Sequence, residues 1–220
     1  MRRRLLAGAA LLLAGNAAFT AWASGAAGPR IGVVVSDAWF DVAGFNPAAY
    51  ELAIVRAGGA AVRIRPEDSL DGLSGLVLIG GGDVDPAEFA LLREAERRNL
   101  PVLAICRGAQ ALATAYGGAL GPAGRRHGVS IRSLWAHDVR CEPGTRAGGV
   151  FGSEAFRASS THATAIADAG PRLRVSASSD DGGIEAVELP GERFVLGLQW
   201  HPEWEGREEP FVALVDAARP

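Results

Sequence analysis

The sequence has few of the residues that mark several common protein classes. Its 220 residues include two cysteines, Cys106 and Cys141, which are too few for a disulfide framework. The net charge is −3 and no long run of one sign occurs, so we expect no nucleic acid partner. The histidines include no HxxxH spacing and the cysteines no CxxC spacing, so the pattern predicts no metal site. The full sequence is 48% hydrophobic and 21% charged, which is the composition of a globular protein.

The first 28 residues have the order of an export signal. Three arginines at positions 2–4 precede an apolar stretch, and Ala21-Trp22-Ala23 supplies a small-x-small cleavage pattern. We therefore predict a signal peptide and short linker over 1–28, a single domain over 29–220, and no stable membrane span after cleavage. The protein would then be periplasmic or secreted. An uncleaved anchor and a mis-assigned start codon are the alternatives, and they would leave it membrane-anchored or cytoplasmic.

Strands alternate with helices over the first half of the domain. This order predicts an α/β fold with a mostly parallel central sheet, helices on both faces, and ligands beyond the carboxyl ends of the strands. After Gly117 short strands follow one another, and Gly182-Gly183 indicates a hairpin, so we expect a small antiparallel addition in the C-terminal half. Strands are predicted at 31–35, 61–64, 75–79, 102–105, 129–134, 138–141, 172–176, 184–189 and 194–199, and helices at 47–57, 86–99, 107–116 and 210–218.

Cys106 lies where an apolar strand meets a helix. The strand 102–105 ends directly before it, and Gly108 lets the backbone bend sharply and other chain approach closely. A cysteine at a helix N-terminus is favoured as the thiolate, and the arrangement is that of a nucleophile elbow. The alternative interpretation is a small buried hydrophobic residue.

Three glycines follow the predicted strand 75–79. The stretch Gly80 to Pro86 lacks the G-K-[ST] and G-x-G-x-x-G patterns of nucleotide-binding loops. Exposed backbone N–H groups after a buried strand suit an anionic phosphate or an oxyanion. For an oxyanion, the N–H groups of Gly81, Gly82 and Arg107 are our candidate donors. A flexible turn is the alternative.

His201 and Glu203 close the last predicted strand. At this spacing the carboxylate can accept a hydrogen bond from one imidazole nitrogen, leaving the other for a thiol. Cys106, His201 and Glu203 thus form a candidate set of nucleophile, base and orienting group. Individually, His201 could be a satisfied buried histidine and Glu203 a surface charge.

These motifs resemble the class I glutamine amidotransferase-like proteins, and most closely the γ-glutamyl-γ-aminobutyrate hydrolase branch, a cysteine peptidase group. The resemblance covers roughly residues 30–204 and rests on Leu103–Gln110, Gln199–Trp204, Gly80–Pro86, Ser160 with His162, and Asp181-Gly182 leading into Ile184–Val187.

The resemblance implies a flavodoxin-like fold, a Cys106–His201–Glu203 triad, a γ-glutamyl thioester intermediate and no cofactor. It also implies that Gln110 contacts the glutamyl group and that Ser160 and His162 lie in a loop near the site. The expected partner is a small γ-glutamyl substrate, and a homodimer is one option for the oligomeric state.

The chain departs from the branch around the leaving-group side. A single predicted helix replaces a longer insertion between Pro86 and Pro101, Ile79 stands where proline is usual, and Ala163-Thr164 follows His162. A shorter wall would admit larger γ-glutamyl amides. Two other functions stay open: a glutaminase subunit that feeds ammonia to a synthetase, and a non-catalytic binding protein on the same fold.

Overall fold

The computed structural model describes residues 20–35, 47–124, 127 and 137–220. In this part of the chain nine strands form one sheet and two more form a small separate ribbon. No helix in these ranges is both long and apolar enough to cross a bilayer. The strands are β1 Arg30–Val34, β2 Ala60–Ile64, β3 Gly75–Leu78, β4 Val102–Ile105, β5 Ala119–Pro122, β6 His137–Cys141, β7 Phe156–Ala158, β8 Thr164–Asp168, β9 Arg174–Ser179, β10 Ile184–Glu188 and β11 Val195–Leu198. The helices are α1 Pro47–Arg56, α2 Ala87–Arg97, α3 Arg107–Ala115, α4 Arg146–Phe151, α5 Pro202–Glu205 and α6 Glu209–Ala217.

The large sheet has the order β2-β1-β3-β4-β11-β10-β9-β6-β7. Its first five strands are mutually parallel, and the remaining neighbours pair antiparallel. The predicted parallel sheet with an antiparallel addition is therefore confirmed. Because β11 lies beside β4 in parallel register, both strands deliver the residues after them to the same edge.

Two apolar layers cover the two faces of the sheet. Helices α1 and α6 pack on one face, where Tyr50, Ile54 and Phe211 are buried. Helices α2 and α3 pack on the other, where Leu92 and Leu112 are buried. The alternation of Val33 and Val34 between these layers shows the period-two placement of side chains that every strand imposes.

Some elements differ from the sequence prediction. The strand predicted at 172–176 is shifted to Arg174–Ser179, and the strands β5, β7 and β8 and the helices α4 and α5 were not predicted. Each of the missed strands has at most five residues and is largely solvent-exposed or interrupted by glycine and proline, so its hydrophobic pattern is weak. The strand predicted at 129–134 lies outside the described residues.

Around the predicted signal junction, residues 20–24 are helical. Within this turn Ala23 is fully buried in the layer that contains α1, whereas Trp22 is exposed.

Candidate active site

Cys106 occupies a strained position between β4 and α3. Its backbone has φ 52° and ψ −109°, and within the described ranges Asn99 is the only other non-glycine residue with positive φ. The Cys106 amide donates a hydrogen bond of 2.7 Å to the carbonyl oxygen of Leu198, the last residue of β11. A rare backbone conformation persists only when surrounding contacts stabilise it, and here the hydrogen bond to β11 stabilises it. The same sharp turn exposes the nucleophile in a nucleophile elbow.

Two glycines allow other groups to approach this elbow. A Cβ on Gly108 would lie 2.4 Å from the carbonyl oxygen of Leu78, so only glycine lets α3 begin against β3. A Cβ on Gly80 would lie 2.7 Å from Cε1 of His201 and 3.2 Å from Cβ of Cys106. The close approach predicted at Gly108 is confirmed, and Gly80 has an equivalent role that the sequence did not indicate.

His201 is held between Glu203 and Cys106. Its Nδ1 lies 2.6 Å from Oε1 of Glu203, and both side chains are fully buried. Trp204 stacks on the imidazole with 3.8 Å between ring centroids and 5° between planes, which fixes the ring orientation. Burial alone lowers the pKa of His201, but the charges of Glu203 and Cys106 and their hydrogen bonds outweigh it and raise this pKa to about 10. The imidazolium is therefore the stable form at neutral pH.

Tyr50 is a further member of this group that sequence reasoning missed. Its hydroxyl accepts a hydrogen bond of 3.2 Å from the Gly80 amide. Burial, followed by the charge and hydrogen bonding of Glu203, raises the pKa of Tyr50 well above its usual value. The hydroxyl thus stays protonated and faces the carboxylate. A lone tyrosine in an apolar helix offers no sequence signal for such a contact.

A cavity of about 310 Å³ opens beside the sulfur. Its lining includes Gly81, Gly82, Gln110 and His162 as well as Cys106 and Arg107. Both glycines have positive φ, 100° and 68°, which ordinary side chains disfavour. The structure therefore brings the predicted oxyanion donors and two of the three predicted substrate contacts to one cavity.

Gln110 and His162 are tied to the same strand end. Nε2 of Gln110 donates to the carbonyl oxygen of Thr164 at 2.6 Å, and Nδ1 of His162 is 3.0 Å from that oxygen. Burial, with smaller effects of neighbouring histidines, lowers the pKa of His162 to about 3. His162 is therefore neutral at pH 7, and its Nδ1 carries the proton because a carbonyl can only accept.

Ser160 does not take the predicted place. It is fully buried and absent from the cavity lining, and its hydroxyl is 3.4 Å from the carbonyl oxygen of His127. Its neighbour Ser159 is closer to the catalytic candidates, because its hydroxyl donates to the His201 carbonyl oxygen at 3.1 Å. Ser160 therefore supports the loop from inside and makes no contact with the cavity.

The side chain of Arg107 has a structural role, whereas its backbone N–H is the candidate oxyanion donor. It is buried against Glu88, with which it forms an ion pair, and Nη2 donates to the carbonyl oxygen of Ile79 at 3.0 Å. Burial raises the pKa of Glu88 in spite of the opposing charge of Arg107. This pair connects α2, α3 and the end of β3, and sequence reasoning did not identify Glu88.

Both cysteines are free and buried. Burial raises the pKa of the Cys141 thiol to about 11, so this thiol is protonated at neutral pH. Cys141 lies at the end of β6 and makes a matched control for the reactivity of Cys106.

Comparison with known proteins identifies the family. Residues 85–203 match the family model Peptidase C26. The chain is 39% identical over 237 aligned positions to a Mycobacterium tuberculosis protein provisionally named a glutamine amidotransferase, covering 88% of this chain and 76% of that protein. The chain belongs to the peptidase C26 family.

A second relative carries the name of a hydrolase. This C26 chain is 35% identical over 143 residues to the γ-glutamyl-γ-aminobutyrate hydrolase PuuD of Escherichia coli K12. The alignment covers 57% of this chain and 56% of PuuD, so the chain matches little more than half of that enzyme's length. Family membership and this relative support a hydrolase of the γ-glutamyl or amidotransferase-like type.

Solved structures establish the fold more broadly. The structure of PurLQS from Thermotoga maritima matches with a TM-score of 0.67 at 21% identity, over 86% of this chain and 98% of that one. A glutamine amidotransferase from the same organism matches with a TM-score of 0.61 at 20% identity, covering 86% and 90% of the two chains. The fold of this C26 member is thus that of the class I glutamine amidotransferases, as the sequence resemblance predicted.

Proposed function

We propose that the chain hydrolyses γ-glutamyl amides with Cys106 as the nucleophile. The observation that carries the proposal is the placement of fully buried His201 between Glu203 and Cys106, the residue that lines the 310 Å³ cavity. Covalent hydrolysis requires a nucleophile that reaches the substrate, a base in contact with the nucleophile, and a group that orients the base. Membership of a peptidase family and the hydrolase relative support the same chemistry.

In the first half-reaction the Cys106 sulfur attacks the γ-carbonyl carbon of the substrate. The carbonyl electrons move to oxygen, and backbone N–H groups of Gly81, Gly82 or Arg107 would stabilise the oxyanion. His201 then gives its proton to the leaving nitrogen, the carbon–nitrogen bond breaks, and the amine departs. The product is a γ-glutamyl thioester on Cys106.

In the second half-reaction water replaces the amine. Neutral His201 accepts a proton from water while the oxygen attacks the thioester carbon, and the carbon–sulfur bond breaks. Glutamate leaves, and Cys106 returns as a thiolate beside protonated His201. Glu203 keeps Nδ1 of His201 as a donor throughout, so that Nε2 faces the reacting groups.

The neutral groups of the cavity suit the glutamyl side of the substrate. Gln110 and His162 both line the cavity and are both held against Thr164, so they present fixed polar surfaces to a small ligand. The cavity volume lies at the lower end of the range for small-molecule sites. A γ-glutamyl unit fits such a space, with the amine portion left towards solvent.

The test is hydrolysis of γ-glutamyl-p-nitroanilide, γ-glutamyl-aminobutyrate, γ-glutamyl dipeptides and glutamine by wild type, Cys106→Ala and Cys141→Ala. We expect turnover of at least one γ-glutamyl amide by wild type and Cys141→Ala, and its loss in Cys106→Ala. No turnover in any of them, with Cys106 also inert to iodoacetamide, would leave a binding protein on this fold.

A glutaminase subunit is the second candidate, because the M. tuberculosis relative is named, provisionally, a glutamine amidotransferase. Such a subunit would release ammonia from glutamine only with a synthetase partner. Turnover of glutamine that requires added host extract, together with inertness towards the other amides, would favour this candidate over the stand-alone hydrolase.

Export is a separate proposal, resting on the basic, apolar and small-x-small order of the first 23 residues. N-terminal sequencing of the protein from its own host tests it. A chain starting near Ser24 supports cleavage, and a chain that still starts at Met1 rules it out.

A further inference from the structure

Three histidines and one glutamate converge beneath the wall of the active-site cavity. They are His127, His137 at the start of β6, His162, and Glu185 on β10, and each is at least 96% buried. One potential ligand atom from each lies within 4.8 Å of all the others. The imidazole centroids of His127 and His137 are 4.2 Å apart, and those of His127 and His162 are 5.0 Å apart.

The atoms that converge here lack ordinary hydrogen bonds. Within the described part of the chain, no hydrogen-bond partner is found for Nδ1 of His127, either ring nitrogen of His137, Nε2 of His162 or Oε2 of Glu185. The other carboxylate oxygen, Oε1 of Glu185, is shared by two rings: it lies 3.2 Å from Nδ1 of His127, an ion-pair contact, and 3.4 Å from Nε2 of His137. Leaving several buried polar atoms unsatisfied costs about 1–3 kcal/mol for each group.

The outer nitrogens of two histidines are fixed as in metal sites. Nδ1 of His162 donates to the Thr164 carbonyl oxygen at 3.0 Å, which turns the Nε2 lone pair inward. Nε2 of His127 lies 3.2 Å from both carboxylate oxygens of Asp181, and Asp181 is itself held by the Ser179 hydroxyl at 2.6 Å. A ligating histidine commonly donates its other N–H to a carboxylate or a carbonyl in this way.

From this geometry we propose that His127, His137, His162 and Glu185 bind one divalent transition-metal ion of the zinc type. Three imidazoles and a carboxylate without thiolate suit Zn²⁺ or Co²⁺. Four ligands about 2.1 Å from a tetrahedral ion lie about 3.4 Å apart, so the cluster contracts modestly on binding. The charges of Glu185 and Asp181 match the two positive charges of the ion, which makes the buried assembly neutral.

A second cavity gives the ion access to this cluster. Its volume is about 310 Å³, and His127, Asp181 and Glu185 are among its lining residues. Cys106 is not among the residues that line this second cavity, whereas His162 belongs to the cluster and also lines the active-site cavity. A bound ion would anchor the loop that carries His162 to β6 and β10 and so stiffen one wall of the active-site cavity.

The test measures metal directly on the untagged chain after treatment with a chelator. We expect one equivalent of Zn²⁺ from ZnCl2 by elemental analysis, visible absorption bands with CoCl2, and a Tm that rises with Zn²⁺ concentration. Cys106→Ala should bind equally well, because Cys106 is not a member of the cluster, and it removes the possibility that the Cys106 sulfur and His201 take up the ion instead. Failure of wild type to take up either ion, or loss of uptake in Cys106→Ala, overturns the proposal.

Matched variants locate the ion. Asp181→Asn removes the carboxylate partner of His127 at a partly exposed position and should weaken Zn²⁺ affinity by about 10- to 100-fold. Glu192→Gln, an exposed carboxylate outside the cluster, is the control and should leave the affinity unchanged. Glu185→Gln should weaken affinity further. Wild-type affinity in both Asp181→Asn and Glu185→Gln overturns the assignment and leaves a protonated His127 paired with the two carboxylates. These readouts do not depend on hydrolysis, so they are independent of the proposed function.

Discussion

The hydroxyl of Tyr50 on α1 lies 3.2 Å from the backbone amide nitrogen of Gly80, the second residue after β3, where an added Cβ would lie 2.7 Å from Cε1 of His201. Through this contact the helix on one face of the sheet touches the glycine loop, and the same hydroxyl faces Glu203. The orienting carboxylate of the proposed triad is therefore itself oriented from a second element of the fold.

Tyr50→Phe should lower kcat about ten-fold with little effect on KM. The substitution removes a hydroxyl that helps to hold Glu203 and leaves the buried Gly80 amide without its acceptor, a cost of about 1–3 kcal/mol. Steady-state kinetics on the best substrate checks this. The pH profile is a second readout, because general destabilisation would leave it unchanged whereas loss of the Tyr50 hydroxyl should shift its alkaline limb. If both kcat and the pH profile are unchanged in Tyr50→Phe, Tyr50 does not help to position Glu203.

The pH profile of kcat/KM should have its alkaline limb near pH 10. The pKa of His201 is raised to about 10, so the proton needed by the leaving amine is present below that pH and lost above it. In Glu203→Gln the largest influence that raises this pKa is gone, so the limb should move to lower pH and kcat should fall. A limb at the same pH in both enzymes would mean that another group supplies the proton.

Gly80→Ala should reduce kcat/KM by about 100-fold or more. The added Cβ would lie 2.7 Å from Cε1 of His201 and 3.2 Å from Cβ of Cys106, so the imidazole must move away from the sulfur. Gly149→Ala in α4 is the control, because its Cβ would meet nothing within 4 Å. Equal activity of the two variants would show that the close packing at Gly80 has no catalytic consequence.

Glu88→Gln should destabilise the fold by about 3–5 kcal/mol. It removes the negative partner of Arg107, and an unpaired charge in the protein interior is costly. Glu96→Gln, which breaks an exposed pair with Arg172, should cost about 0–1 kcal/mol. Urea unfolding followed by circular dichroism gives both values, and similar costs for the two variants would contradict the assigned difference in burial.

The site residues that could be predicted from the sequence are those whose signal lies within one short stretch of the chain. Cys106 was predictable because a buried strand, a glycine and an apolar helix meet within ten residues. His201 and Glu203 were predictable as a pair because they are two positions apart after a predicted strand. The resemblance to the glutamine amidotransferases then implied the fold. Tyr50 and Glu88 were missed because each reaches the site from a different helix, and no local pattern encodes that distance.

Ser160 and the histidine cluster are two further features that the sequence did not predict. The resemblance placed Ser160 near the site, but side-chain direction within a loop depends on packing, and the hydroxyl turned inward towards His127. The search for metal ligands used the HxxxH and CxxC spacings, which detect only ligands that are close together in the sequence. His127, His137 and His162 come from before β6, from β6 itself and from the loop between β7 and β8, so only the folded sheet brings them together near Glu185 on β10.

The sequence by itself therefore determined the parallel half of the sheet, the elbow at Cys106 and the pairing of His201 with Glu203. These depend on short-range periodicity and on residues close in the chain. Tertiary structure alone decided which side chains surround them, because contacts between α1, the glycine loop and the antiparallel strands join residues more than 20 positions apart. Close packing of those elements set the second partner of Glu203, the inward turn of Ser160 and the convergence of three buried histidines.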